Sequence, residues 1–390
     1  MILSSTLPAT GNTRDTQPEN GAYFPALDGI RAFAFLLVFF HHYCHFEVGW
    51  TGVDVFFVLS GFLITGILYD TRDTLHRARN FYVRRSLRIF PLYYAVALVF
   101  VLLWPVFHWQ WNWGWITWPL YLANWAIYAP PYAHGAALSA SIEALNNGWL
   151  HGSHNSIALI GHFWSLCVEE QFYLFWPWVV FKVRSRRALI AIASAIIVVW
   201  PLLRHLADLY CSTDRLNAGL TSHGTFFRLD TLMVGALIAL LYRGKSQAAL
   251  FRTAHVGIRV AVVVTVGALI AFAVHPSLLH SRAFKPILLT VGFTVIALFA
   301  GALIVSSLQS GTPFYRVFSN RLLRWLGRIT YGAYVFHDIP HLLYARIATA
   351  LHVPLWPLAL VCTFSLAWLS FRFLETPFLN LKARFTTSSS

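Results

Sequence analysis

The chain has 390 residues, of which 57% are hydrophobic, 16% aromatic and only 11% charged. Soluble globular domains are nearer a quarter charged, so the composition excludes the ordinary soluble classes and defines a polytopic membrane protein. The net charge of +14 invites a nucleic-acid reading, but the basic residues are concentrated in one set of short loops and argue against it.

Residues 1–23 are polar and lack the apolar core of a signal peptide, so they are expected to form an uncleaved, disordered tail. Apolar stretches long enough to span a bilayer, or nearly so, occur at about 29–44, 52–69, 90–108, 162–181, 188–206, 225–242, 257–274, 286–308, 327–348 and 355–374. They predict an all-α, polytopic membrane helix bundle of about ten spans over residues 24–381, followed by a short tail at 382–390. An eleventh candidate, 115–129, is short and rich in Trp and Tyr, and reads as an interfacial or re-entrant piece. With ten spans, the loops on one side hold eighteen Lys and Arg and those on the other hold three. The positive-inside rule then predicts both termini in the cytoplasm and a multi-pass protein of the plasma membrane. Anionic lipid headgroups remain partners for the basic face.

The first two spans carry three ionisable groups, Arg31, His42 and Asp54. Charge in an apolar span is expensive and marks a functional site by default. Arg31 and His42 are separated by three helical turns, so they share a face about 16 Å apart along the axis. His41 lies off that face. With the predicted topology, Asp54 comes near the outer end beside His42, where a carboxylate would orient a general-base imidazole. The alternative is a His–Asp pair that only ties two helices together.

At the inner mouth of the third span, Arg84, Arg85 and Arg88 form a basic cluster. Their guanidinium forks suit phosphate, although positive-inside anchoring accounts for most such clusters. The fourth span holds adjacent Glu169 and Glu170, about 10 Å deep. Neighbouring side chains point about 100° apart, so one is expected to pair with an Arg while the other faces a cavity. Trp164 and Tyr173 suit a sugar site, and an aromatic belt is the competing explanation for Trp164. Arg228 at the start of the sixth span is a substrate contact or a local ion pair with Asp230. In the ninth span, Tyr334 and His337 sit three residues apart and face a cavity, unless His337 is a hydrogen-bonded core residue.

The four cysteines, Cys44, Cys167, Cys211 and Cys362, have no metal-ligand or redox spacing. They read as small apolar residues, with a Cys44–Cys211 disulfide left open. No nucleotide-binding loop, zinc-protease motif or serine-hydrolase elbow is present, and no metal is expected.

The segments LDGIRA with His42, GVDVFFVLSGFLIT at 52–65, FYVRRSLRIFPLYY at 81–94 and FWSLCVEEQFYLFWP at 163–177 closely resemble membrane acyltransferase family 3. The later FFRLDTLMVGALIA, LGRITYGAYVFH and FRFLETPF resemble its pattern too, in the family's order, from about Phe24 to Leu381. The resemblance implies a ten-span O-acyltransferase that takes acyl-CoA, usually acetyl-CoA, from the cytoplasm and acylates a hydroxyl of a carbohydrate-type acceptor. It puts the family's Arg–His pattern on Arg31 and His42, its aspartate on Asp54, its basic motif on Arg84, Arg85 and Arg88, and its glutamates on Glu169 and Glu170. Many members carry a C-terminal hydrolase-like domain. This sequence has none up to Ser390, so its bundle is expected to do all the work. In that picture the CoA phosphates sit near the basic cluster and the pantetheine arm rises toward His42. Two other classes remain open at this point: a proton-coupled transporter or flippase of a glycan or lipid, and a membrane scaffold with buried polar pairs.

Overall fold

A computed structural model describes residues 23–107, 114–126, 161–210, 221–244, 247–274 and 287–385. Among these residues the elements are all helical, with no strand. The principal helices are α1 (Pro25–Cys44), α2 (Thr51–Asp70), α3 (Arg77–Phe107), α4 (Trp164–Lys182), α5 (Arg186–Tyr210) and α6 (Leu229–Tyr242). They continue with α7 (Gln247–Val274), α8 (Phe293–Leu308), α9 (Arg321–Arg328), α10 (Thr330–Phe336), α11 (His341–Leu351) and α12 (Leu355–Ser370).

Local chemistry sets the ends of α1. Pro25 opens the helix, where its missing N–H costs nothing. Asp28 in the first turn complements the positive end of the helix dipole. His45 closes it at φ 52°, and its backbone N–H returns to the Phe40 carbonyl. A short 3₁₀ turn, Glu47–Trp50, then reverses the chain into α2.

Helix α2 lies at the centre. It runs along α6 and also packs on α1, α4 and α8. The α2–α6 contact is close because both helices are glycine there. A methyl group on Gly61 would stand 1.9 Å from the Leu232 carbonyl oxygen, and one on Gly235 would stand 2.0 Å from that of Val58. Small residues bring membrane helices into backbone contact in this way.

Among the described residues, six helical segments are long and apolar enough to cross a bilayer: Glu47–Asp70, Arg77–Leu103, Arg186–Tyr210, Gln247–Val264, Thr290–Leu308 and Leu355–Phe385. Helices α1, α4 and α6 are not among them. α1 carries Asp28 and Arg31, α4 carries Glu169 and Glu170, and α6 has only 14 residues. A helix surrounded by other helices can hold charge that a lipid-facing helix cannot.

The ninth apolar stretch departs from expectation. Residues 327–348 do not form one helix but belong to three, α9, α10 and α11, with a turn at 337–340. Pro340 lacks the N–H that would continue the ladder and disfavours helical geometry in the residue before it. The break leaves His337 and Asp338 at the end of α10. The aromatic piece forms two single-turn helices, Gly114–Thr117 and Ala123–Ala126. Between them Tyr121 stacks on Tyr93 of α3 at 4.2 Å. Residues 1–22 of the N-terminal tail and Cys211 lie outside the described residues.

Candidate active site

The polar residues of α1 divide the site into an arginine end and a histidine end. At the arginine end a cavity of about 560 Å³ opens between α1, α2, α3 and the start of α4. That volume suits a small ligand or part of a larger one. Arg31, Arg84, Arg85 and Arg88 all line it, with Lys382 from the segment after α12. Arg31 is held by Asp28, its Nη1 donating to Oδ1 at 2.5 Å. The Tyr23 hydroxyl donates to the other oxygen of Asp28 at 2.8 Å. Among the described residues, Arg84 and Arg88 have no carboxylate within ion-pair distance. The mouth therefore carries uncompensated positive charge and is open to an anion.

Further along the cavity the glutamates take different partners. The Ser60 hydroxyl of α2 donates to Glu169, and the Tyr173 hydroxyl donates to Ser60 at 2.9 Å. Glu169 lines the cavity, and Glu170 lies 3.8 Å from Arg85 Nε. The Arg85 guanidinium stands 3.9 Å from the centre of the Tyr173 ring. Tyr173 is buried beneath the arginine as a support.

The cavity ends at Ser165, Tyr334, Val53, Phe56 and Phe57, and His42 is not part of its lining. Tyr334 forms the wall. Its hydroxyl donates to the His162 carbonyl at 3.0 Å and meets the Ser165 hydroxyl at 2.5 Å. Behind this wall His42 (α1), His162 (before α4) and His337 (after α10) gather. The His337 ring lies 5.0 Å from that of His42 and 4.8 Å from that of His162. His337 Nδ1 donates to the Tyr334 carbonyl at 2.7 Å, which fixes its tautomer and leaves Nε2 as a buried acceptor without a hydrogen bond. His41 bonds the Phe46 carbonyl at 3.1 Å instead of joining the group.

Two expected pairings are replaced by others. Asp54 does not orient His42. It is fully buried and takes Arg228 Nη2 on Oδ1. The carboxylate beside His42 is Asp338, whose Oδ1 is 4.0 Å from His42 Nδ1. Arg228 and Asp230 do not pair locally either. Arg228 faces Asp54, and Asp230 receives two bonds of 2.8 Å from Arg204 of α5. Helix geometry explains this: residues two apart point to different sides, so each meets a different neighbouring helix. Arg228 is 1% exposed and does not line the cavity. Trp164 packs edge-on against Phe57 and His223 and is also absent from its lining. Of Trp164, Tyr173, Arg228, Tyr334 and His337, only Tyr334 reaches the cavity.

Sequence reasoning passed over Ser60, His162, Asp338 and Lys382. A serine in an otherwise apolar run and an aspartate beside a histidine were the available signals. Lys382 lay in a segment assigned to a tail, and only packing of that segment on α3 reveals it.

The profile of the acyltransferase domain family (Acyl_transf_3) matches residues 24–372, nearly the whole chain, and the protein belongs to that family. It is 28% identical over 377 residues to the peptidoglycan O-acetyltransferase OatA of Listeria monocytogenes, covering 91% of this chain and 56% of that one. It is 27% identical over 379 residues to the putative peptidoglycan O-acetyltransferase YrhL of Bacillus subtilis, covering 91% and 55%. A putative O-acetyltransferase of Staphylococcus aureus is 28% identical over 378 residues, covering 91% and 57%. The chain thus spans a little over half the length of these relatives. No solved structure matches it.

Proposed function

We propose that this protein is an integral membrane O-acetyltransferase that moves an acetyl group from acetyl-CoA to a hydroxyl of a cell-envelope glycan. The observation that carries the proposal is the cavity. Arginines without carboxylate partners lie at its mouth, and a polar wall at its far end separates it from a histidine cluster. Family membership and the similarity to named O-acetyltransferases support the same reading.

The CoA phosphates bind Arg84, Arg85, Arg88 and Lys382, where guanidinium forks take phosphate oxygens in pairs. The pantetheine arm passes Arg31 and Glu169, and the thioester comes to rest at Ser165 and Tyr334. Rotation of the Tyr334 ring joins this point to the histidine end. His42 then removes the proton of the acceptor hydroxyl. The hydroxyl oxygen bonds to the acyl carbon, the carbon–sulfur bond breaks, and the imidazolium returns its proton to the departing thiolate. The CoA thiol and the O-acetyl ester are the products. The positive-inside bias of the basic loops supports an arginine end that faces the cytoplasm, with donor and acceptor approaching from opposite faces of the membrane.

Purified protein incubated with labelled acetyl-CoA and peptidoglycan fragments tests the proposal. Label is expected on the glycan together with stoichiometric release of CoA thiol. Absence of CoA binding and release, with and without acceptor, overturns it.

A further inference from the structure

The group at the histidine end is built around a carboxylate. Asp338 lies in the turn between α10 and α11, and its two oxygens face two imidazoles on different elements. Oδ1 is 4.0 Å from His42 Nδ1, and Oδ2 is 3.6 Å from His162 Nδ1. His42 belongs to α1 and is about one-third exposed, whereas the His162 side chain is 4% exposed. Both ring nitrogens of His162 are buried and make no hydrogen bond. Among the described residues, the remaining titratable groups here are His41 of α1, His337 of the turn and His341 of α11, with the hydroxyls of Tyr43 and Tyr334. None of these is a carboxylate. His41 is engaged by a backbone carbonyl, as is His337, and the Tyr43 hydroxyl donates to the His337 carbonyl at 2.6 Å. Among the described residues, Asp338 is therefore the carboxylate within ion-pair distance of these imidazoles.

We propose that Asp338 is the positioning residue of this site, a carboxylate shared by His42 and His162. Standing 4.0 Å from Nδ1 of His42, it acts as a nearby negative charge that stabilises the imidazolium form. Its second oxygen stands 3.6 Å from His162 Nδ1, so the one carboxylate faces both imidazoles. Asp338 touches no reacting atom and acts through the histidines. The inference rests on the general-base role given to His42 above, but the arrangement is testable without turnover.

The test is the pH dependence of carbethoxylation of His42 by diethyl pyrocarbonate, which reacts with the neutral imidazole. The purified full chain in detergent is used, and fragment ions separate His42 from His41 and His45. An opposite charge within about 4–6 Å favours the charged form of a titrating group. Asp338→Asn is therefore expected to move the midpoint for His42 to lower pH by about one unit, with Asp338→Glu restoring most of the shift. If Asp338→Asn does not fold, Asp338→Ser removes the same charge in a smaller side chain. An unchanged midpoint in a folded charge-removed variant overturns the proposal, whether or not the protein transfers acetyl groups. A shifted midpoint in a protein that shows no acetyl transfer would leave the shared carboxylate standing and remove the functional reading.

Discussion

Charge is buried in this bundle in two ways. Where α5, α6 and α8 meet, Arg204 is enclosed on every side. It donates to both oxygens of Asp230 at 2.8 Å, to the Thr290 and Phe227 carbonyls at 2.9 and 2.6 Å, and to the Thr294 hydroxyl at 2.7 Å. Arg228 is also buried, against Asp54 and the Phe293 ring, although its Nε and Nη1 make no hydrogen bond among the described residues. Along α3, by contrast, Arg84, Arg85 and Arg88 line a cavity, and two of the three have no carboxylate partner among the described residues. Burial by itself therefore does not mark a site. A buried charge whose partners are all protein groups holds helices together, while one that faces a cavity without a counter-ion is available to a ligand.

The sharpest way to break this comparison is to remove one member of the sealed set. Asp230→Ala leaves Arg204 charged and unpaired, which costs about 3–5 kcal/mol. The variant is expected to lose most of its folded yield, or to melt well below the parent in detergent. Replacing both residues, as Arg204→Met with Asp230→Leu, should recover much of that loss. A single variant with an unchanged melting temperature would mean that the sealed pair is not structural.

His42→Ala should behave in the opposite manner. Its melting temperature should stay close to that of the parent, while acetyl transfer falls by about 10²–10⁴-fold, the usual contribution of a general base. A folded His42→Ala protein that still acetylates at the parent rate removes the role assigned to that residue.

Lysine at position 85 or 88 keeps the charge but loses the planar fork. Arg85→Lys and Arg88→Lys are each expected to raise KM for acetyl-CoA by about tenfold and to lower kcat less, as expected for lost bidentate phosphate contacts. An effect confined to kcat would place these arginines near the reacting atoms instead. Lys382→Gln sits at the rim of the same cavity, where one partly solvated ion pair is worth little. Its KM should rise only about twofold to fivefold.

The apolar stretches were enough to outline an all-helical membrane bundle, and the motifs were enough for the family. Arg84, Arg85 and Arg88 were legible as a group because they lie within one helix, where spacing fixes their relative position. The partners at the histidine end were not, because they come from far along the chain. Asp54 looked like the partner of His42 because only twelve residues separate them in a hairpin. Nothing in a single sequence shows that Arg228 reaches Asp54 first, or that Pro340 breaks a predicted span so that Asp338 turns back to α1. Adjacent Glu169 and Glu170 were read correctly as having separate environments, since helix geometry alone requires it.

The central claim is that donor and acceptor meet from opposite ends of α1, the donor at the arginines and the acceptor at the histidines. Reconstituted proteoliposomes test it directly, with peptidoglycan fragments trapped inside and labelled acetyl-CoA supplied only outside. The account predicts labelled acetyl on the trapped glycan and CoA thiol in the outer medium. Transfer that occurs only when acetyl-CoA and acceptor share the same side of the membrane would contradict it.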